Sequence, residues 1–209
     1  MPRDKTLSHK KIIQAAKEEF LEKGFEKANI RDIGTKAGVT SAALYRHCKD
    51  KEDLFCQVVE PAISAIDEWL SNHINNAYKN ADKGDSHGLQ EQSEVDMIRE
   101  VGIPHRDEFR LLLTKSSGTK YENFLNVLVN QHEVKLWEGL EYLQKHGYQI
   151  KPVEKEEMHI LINAYMTALF EPLIHDYDEA QILHYLNTVE NFFMPGWLEI
   201  WGLKKIKTS

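Results

Sequence analysis

No apolar run in this chain approaches the roughly 20 residues that a bilayer-spanning helix needs, so no membrane span and no membrane partner are expected. The stretch MPRDKTLSHKK at the amino end has charge but no apolar core behind it, which argues against a secretion signal. A cytoplasmic protein is the expectation. Cysteine is scarce: Cys48 and Cys56 stand alone, eight positions apart. In a reduced compartment two structural thiols are expected rather than a disulfide or a metal pair. His132, His146, His159, His175 and His184 are scattered singly, with no i,i+4 histidine pair and no His/Cys cluster. Metal-ligand spacing is therefore absent. So are the G-x-S-x-G elbow, the P-loop and the glycine-rich dinucleotide turn, and Ser116-Ser117-Gly118 reads as a helix break. Neither enzymatic activity nor a cofactor is expected. Strand-like alternation and internal repeats are also missing, which leaves an all-α fold.

What the chain does have is an uneven charge. The 209 residues, room for one large or two modest domains, carry a net charge of −7. Residues 1–60 hold +2 of this and residues 61–209 hold −9. Affinity for phosphate follows local charge rather than the total, so an acidic remainder leaves a nucleic-acid-binding head possible. It would limit non-specific binding and leave a strong salt dependence.

Residues 29–48, NIRDIGTKAGVTSAALYRHC, organise the rest. Asn29 is placed to cap a first helix, with Asp32 at the third position in a box-like pairing. Ile33 and Ala37, four apart, share an inner face. Gly38 stands where a helix ends on a left-handed residue. Val39 closes the corner, and Thr40 can cap a second helix with its hydroxyl. Leu44 faces back towards Ile33 and Val39, and Gly34 lies where the two helices come closest, so a small residue is required. This is the pattern of a helix-turn-helix, whose second helix enters the DNA major groove. Upstream, Ile12, Ala16 and Phe20 form one apolar stripe stopped by Gly24. Downstream, Asp50 caps a helix beginning KEDLF.

Over residues 9–59 the chain resembles the Tet repressor (TetR) family of transcription regulators. The resemblance rests on Ile12, Ala15, Ala16, Phe20, Gly24 and Phe25, then Ile33, Ala37-Gly38-Val39, Leu44-Tyr45, His47 and Lys51-Glu52-Asp53-Leu54. Three positions depart from it: Gly34 and Ala42, where the family usually has Ala and often Gly, and Cys48, where it usually has Phe. The Gly34 departure should cost about 1 kcal/mol in helix propensity. The resemblance implies an amino-terminal head at residues 1–60 and a helical effector-binding and dimerisation body at residues 61–209. It carries Ser41, Ala42 and Ala43 onto base-contact positions, with Arg31 as a further contact to a guanine edge or a phosphate. Thr40, Tyr45, His47 and Lys51 fall on phosphate contacts. The chemistry agrees: Ala can meet a thymine methyl and Ser either kind of base edge, while the flanking groups hold the register. Tyr45 as a core residue, His47 as a plain surface histidine and Lys51 as part of a solvated turn are the alternatives.

Helices are expected at about 9–23, 30–36, 41–47 and 51–59, after a short, poorly ordered arm at 1–8. Pro61 should kink or break the fourth helix and mark the joint of head and body. Asn80–Gln92 reads as a mobile loop, followed by a short helix over Ser93–Val101, one through EFRLLLT, and a long one ending at Gly147. The last two helices, about 154–174 and 178–201, are apolar over more than one face, which points to a partner. By resemblance they pair with their copies in a homodimer, although Phe192, Phe193, Trp197 and Trp201 could equally be internal core. The family's further implication is a small-molecule effector, of unknown identity, that releases double-stranded DNA. Trp69, Phe109, Tyr121, Phe124, Trp137 and Tyr165 are aromatic candidates for such a pocket, but ordinary core is the better reading of each, and none is assigned. The leading expectation is a homodimeric repressor. A helical ligand-binding protein with a degenerate head, acting through a protein partner, is the alternative.

Overall fold

A computed structural model describes residues 5–82, 94–145 and 147–202. Among the described residues it contains helices and no strand. The helices are α1 (Lys5–Lys27), α2 (Ile30–Lys36), α3 (Ser41–Leu44), α4 (Lys51–Asp82), α5 (Glu94–Met97), α6 (Arg106–Thr114), α7 (Phe124–Lys145), α8 (Lys155–Ile174) and α9 (Glu179–Trp201). A π-helical turn, Ile98–Gly102, follows α5.

The chain forms two compact units. The first joins residues 1–69 to residues 101–124, and the second joins residues 70–100 to residues 125–209. In the first unit Ile12, Ala16, Phe20, Ile33, Leu44, Leu54 and Phe55 are buried together with Phe109, Leu111 and Leu112 of α6. Phe55 presents its ring edge-on to Phe20 at 5.1 Å and to Phe25 at 5.5 Å. The far end of α1 is stitched to the segment after α6, where the Phe25 amide donates to the Lys115 carbonyl at 2.9 Å. Lys17 pairs with Glu108 at 3.1 Å. In the second unit Met158, Ile162, Leu169 and Phe170 of α8 and Ile182, Leu186, Val189 and Trp197 of α9 are buried. A reciprocal capping box at Asp178 and Gln181 starts α9, and Gly202, at φ 73°, ends it.

Several boundaries differ from the sequence reading. Helix α1 begins at Lys5, so residues 5–8 are helical, and residues 1–4 lie outside the described residues. The expected loop at Asn80–Gln92 is helical through Asp82; the remainder lies outside the described residues. Pro61 does not end its helix: α4 runs through it. A proline removes one hydrogen bond to the preceding turn, but Pro61 is exposed, while Val58, Val59, Ala62 and Ile66 around it are buried. Packing of one face, the main source of helix stability in proteins, carries the helix past the missing bond. The Ser93–Val101 helix is a single α-turn that widens into the π-turn before Pro104.

Candidate nucleic-acid interface

The turn between α2 and α3 follows from its caps. Asn29 Oδ1 accepts from the Arg31 amide at 2.8 Å, and Thr40 Oγ1 accepts from the Ala43 amide at 3.2 Å. Gly38 has φ 69°, the left-handed value that lets the chain turn after Ala37. Val39 donates to the Gly34 carbonyl at 2.9 Å, and a Cβ on Gly34 would lie 3.1 Å from the Val39 carbonyl oxygen. A small residue at 34 is thus required by close backbone approach. Asp32 does not close the expected box; its carboxylate pairs with Lys23 of α1 at 3.0 Å instead.

Helix α3 is a single turn, shorter than the expected 41–47. Beyond Leu44 the amides of Arg46 and His47 bond three residues back, to Ala43 and Leu44, so the helix tightens into a 3₁₀-like turn. Leu44 anchors it with no exposure, and Cys48 is buried below. Burial, with the nearby Asp53 and Asp50 charges, pushes the Cys48 thiol up to about 11. Both cysteines are free thiols.

Thr40, Ser41, Ala42, Ala43, Tyr45 and His47 therefore lie along one short segment. Thr40, Ala42 and Tyr45 are exposed, and Ser41, Ala43 and His47 half-buried. Tyr45 is 52% exposed, so it is not a core residue. His47 stacks on His9 of α1, ring centres 5.7 Å apart. Arg31 is exposed at the start of α2. Lys51 is placed differently. Its ammonium donates to the Glu26 and Ala28 carbonyls at 3.1 and 3.3 Å and sits 4.5 Å from the centre of the Phe25 ring.

Sequence reasoning did not single out three residues here. Gln57 donates to the His47 carbonyl at 3.0 Å and to Asp53 at 3.2 Å, bracing the end of the turn. Its only sequence signal was the four-residue spacing from Asp53. Arg46 and Lys49 are exposed cations on the same segment as Tyr45, and their alternation with Tyr45 and His47 was visible in the sequence. Of the six aromatic residues considered for a pocket, Trp69, Phe109, Tyr121 and Phe124 fall in the first unit and Trp137 and Tyr165 in the second.

Residues 12–58, the segment just described, match the family model of bacterial regulatory proteins of the tetR family. Over this segment the chain is similar to the TetR family. One relative is an uncharacterized HTH-type transcriptional regulator of Haemophilus influenzae, 32% identical over 98 residues, 47% of this chain and 44% of that one. Another is the HTH-type transcriptional repressor KstR2 of Mycolicibacterium smegmatis, 36% identical over 59 residues, 28% of this chain and 27% of that one. The chain spans under half the length of these relatives. A fold-level likeness extends further. The crystal structure of native NalD, the secondary repressor of the MexAB-OprM multidrug efflux pump in Pseudomonas aeruginosa, superposes with a TM-score of 0.65. It covers 92% of this chain and 98% of NalD at 20% identity, so the shared property is the helical fold.

Proposed function

We propose that this chain is a homodimeric transcriptional repressor of the TetR family that reads a palindromic DNA operator through α3 and is released by a small-molecule effector. The observation that carries the reading is the make-up of α3 and its flanks. Short side chains at Ser41, Ala42 and Ala43 allow close approach to base edges. Thr40, Tyr45 and His47 bracket them with groups suited to phosphate. Arg31 adds a contact from α2, and exposed Arg46 and Lys49 add local positive charge. Lys51 takes part through the first-turn amides of α4, its ammonium staying with the Glu26 and Ala28 carbonyls. The working division is a DNA-binding part at residues 1–60 and an effector-binding and dimerisation part at residues 61–209.

A single module of this kind buries only about 600–1,000 Å² on DNA, so two copies are needed for tight, symmetric reading. Helices α8 and α9 are the proposed contact. Phe192 is 76% exposed and Ile160 67% exposed, and large apolar side chains left in water are the usual mark of a partner surface. An isologous pairing would cover both. Release requires an effector with different affinity for two arrangements of the dimer.

Fluorescence anisotropy on the duplex upstream of the chain's own gene tests the reading. Tighter binding to it than to a scrambled duplex is expected. Tyr45→Ala should weaken binding to every sequence with the salt slope unchanged, because the contact it removes is a hydrogen bond and not a cation's, whereas Arg31→Ala should change preference. Equal affinity of the wild type for both duplexes would refute the assignment.

A further inference from the structure

Glu19 lies in the middle of α1 with no exposed surface, the one acidic residue among the described side chains to be fully buried. Two ammonium groups hold it: Lys23 at 2.6 Å from Oε1 and Lys36 at 2.8 Å from Oε2. Lys23 also reaches Asp32 at 3.0 Å, and Lys36 reaches Glu22 at 3.1 Å. Glu19 and Lys23 are one turn apart on α1; Asp32 and Lys36 are one turn apart on α2. The result is a two-rung ladder between the helices, Glu19 to Lys36 and Lys23 to Asp32.

The order of charge on the ladder has a consequence for α2. Sliding α2 by one turn would set Lys23 against Lys36, or Glu19 against Asp32. Either pairing is repulsive, and with Glu19 buried the repulsion is poorly screened. An apolar pair of similar volume commonly serves stability as well as a buried ion pair, and fixing register is the best-attested use of such groups. Lys36 is also the last residue of α2, immediately before the turn that launches α3. Arg31 and Thr35 occupy the neighbouring face, one residue before Asp32 and Lys36, so the rotation the ladder fixes is the rotation that aims Arg31. Helix α3 has a single buried residue of its own, Leu44, and takes its direction from α2 through the Val39 and Gly34 backbone contact.

From this geometry we infer that Glu19, with Lys36, is a positioning residue for operator reading: it locks the register of α2 on α1 and so the aim of Arg31 and α3. The inference rests on the DNA-binding reading above. It touches no base and no phosphate, so it acts on discrimination and not on grip.

The test is the double variant E19M/K36M, which removes the central pair and leaves net charge unchanged. Wild type and variant are titrated with a duplex that the wild type selects from a random pool and with a scrambled duplex, across a range of salt. The ratio of the two affinities is expected to fall at least tenfold in the variant, with salt slope and scrambled-duplex affinity unchanged. A ratio within twofold of wild type in the folded variant overturns the inference. Where E19M/K36M does not fold, K36Q is read on the ratio of the two affinities alone, because its lost positive charge lowers both together while Lys23 still neutralises Glu19. The single variant E19Q is the charge control: the added net positive charge alone would raise both affinities together, whereas lost positioning lowers only the specific one. A wild type that selects no sequence overturns the DNA-binding reading itself, and the inference with it.

Discussion

The ammonium of Lys51 donates to the carbonyl of Glu26 across 25 positions of sequence, at 3.1 Å. With the Ala28 carbonyl and the Phe25 ring it ties the start of α4 to the end of α1. The carbonyls at a helix end lack intrahelical partners, so a cation there satisfies orphan acceptors and meets the negative end of the helix dipole. A lysine that looks like a phosphate ligand in sequence is thus also a structural brace.

Lys51→Met should therefore lower the stability of the folded chain by about 1–2 kcal/mol, the range for a charged hydrogen bond together with a cation–π contact at a partly exposed site. Urea titration followed by circular dichroism measures it. The DNA salt slope of the same variant should stay at the wild-type value if the ammonium is a brace, and fall by about one if it grips a phosphate.

Gly34 tolerates little. A Cβ there meets the Val39 carbonyl oxygen at 3.1 Å, a contact that a shift of a few tenths of an ångström relieves. Gly34→Ala should change stability by less than about 1 kcal/mol, because the gain in helix propensity offsets the crowding. Gly34→Val adds branches against backbone and should destabilise by about 1–3 kcal/mol. The pair of midpoints in denaturant decides between close backbone approach and simple propensity, since propensity alone would rank both variants as more stable than the glycine.

Phe192 should be where the proposed dimer is most sensitive. Phe192→Glu puts a carboxylate into the proposed apolar contact and should convert the proposed dimer to monomer at micromolar concentration, as sedimentation velocity reads. Circular dichroism of the variant should be unchanged, because the side chain is 76% exposed in the single chain. A variant that remains dimeric would place the interface elsewhere.

Glu19 gives a pH prediction. Burial raises its carboxyl, but the hydrogen bonds and charges of Lys23 and Lys36 outweigh this and hold it below the ordinary value of 4.5. A depressed folded value means that the unfolded chain takes up the proton more readily. Its contribution is therefore complete at neutral pH and is lost as pH falls below about 4.5 through the folded value. The stability gap between wild type and Glu19→Gln should be widest near pH 7 and should close in acid. A gap that is constant with pH would mean that the carboxylate is not held by the two lysines.

The parts of the fold that were legible in the sequence are those decided by near neighbours. Asn29, Thr40 and Gly38 mark their boundaries because a cap or a left-handed residue acts within three or four positions. Pro61 was misleading for the opposite reason: its local penalty is outweighed by burial of Val58, Val59, Ala62 and Ile66, which depends on distant partners. The packing of α6 against α1, with Lys17 and Glu108 paired across 91 positions, has no local signal. The inward turn of Lys51 was hidden likewise. Glu19 did leave a trace, since it stands seven residues after Ile12 and three after Ala16, on the apolar stripe where a carboxylate is out of place. In the candidate site, the order of residues from Thr40 to His47 was readable, but the tightening of α3 after one turn was not, because it follows from how Leu44 and Cys48 seat in the core.

Selection of duplexes from a random pool by the wild-type chain, followed by sequencing, tests the central claim most directly. Two copies of a short-side-chained reading helix held by a symmetric body predict enrichment of a palindrome whose half-sites are spaced for successive major grooves. Enrichment of no sequence, or of a single unpaired half-site, would contradict it.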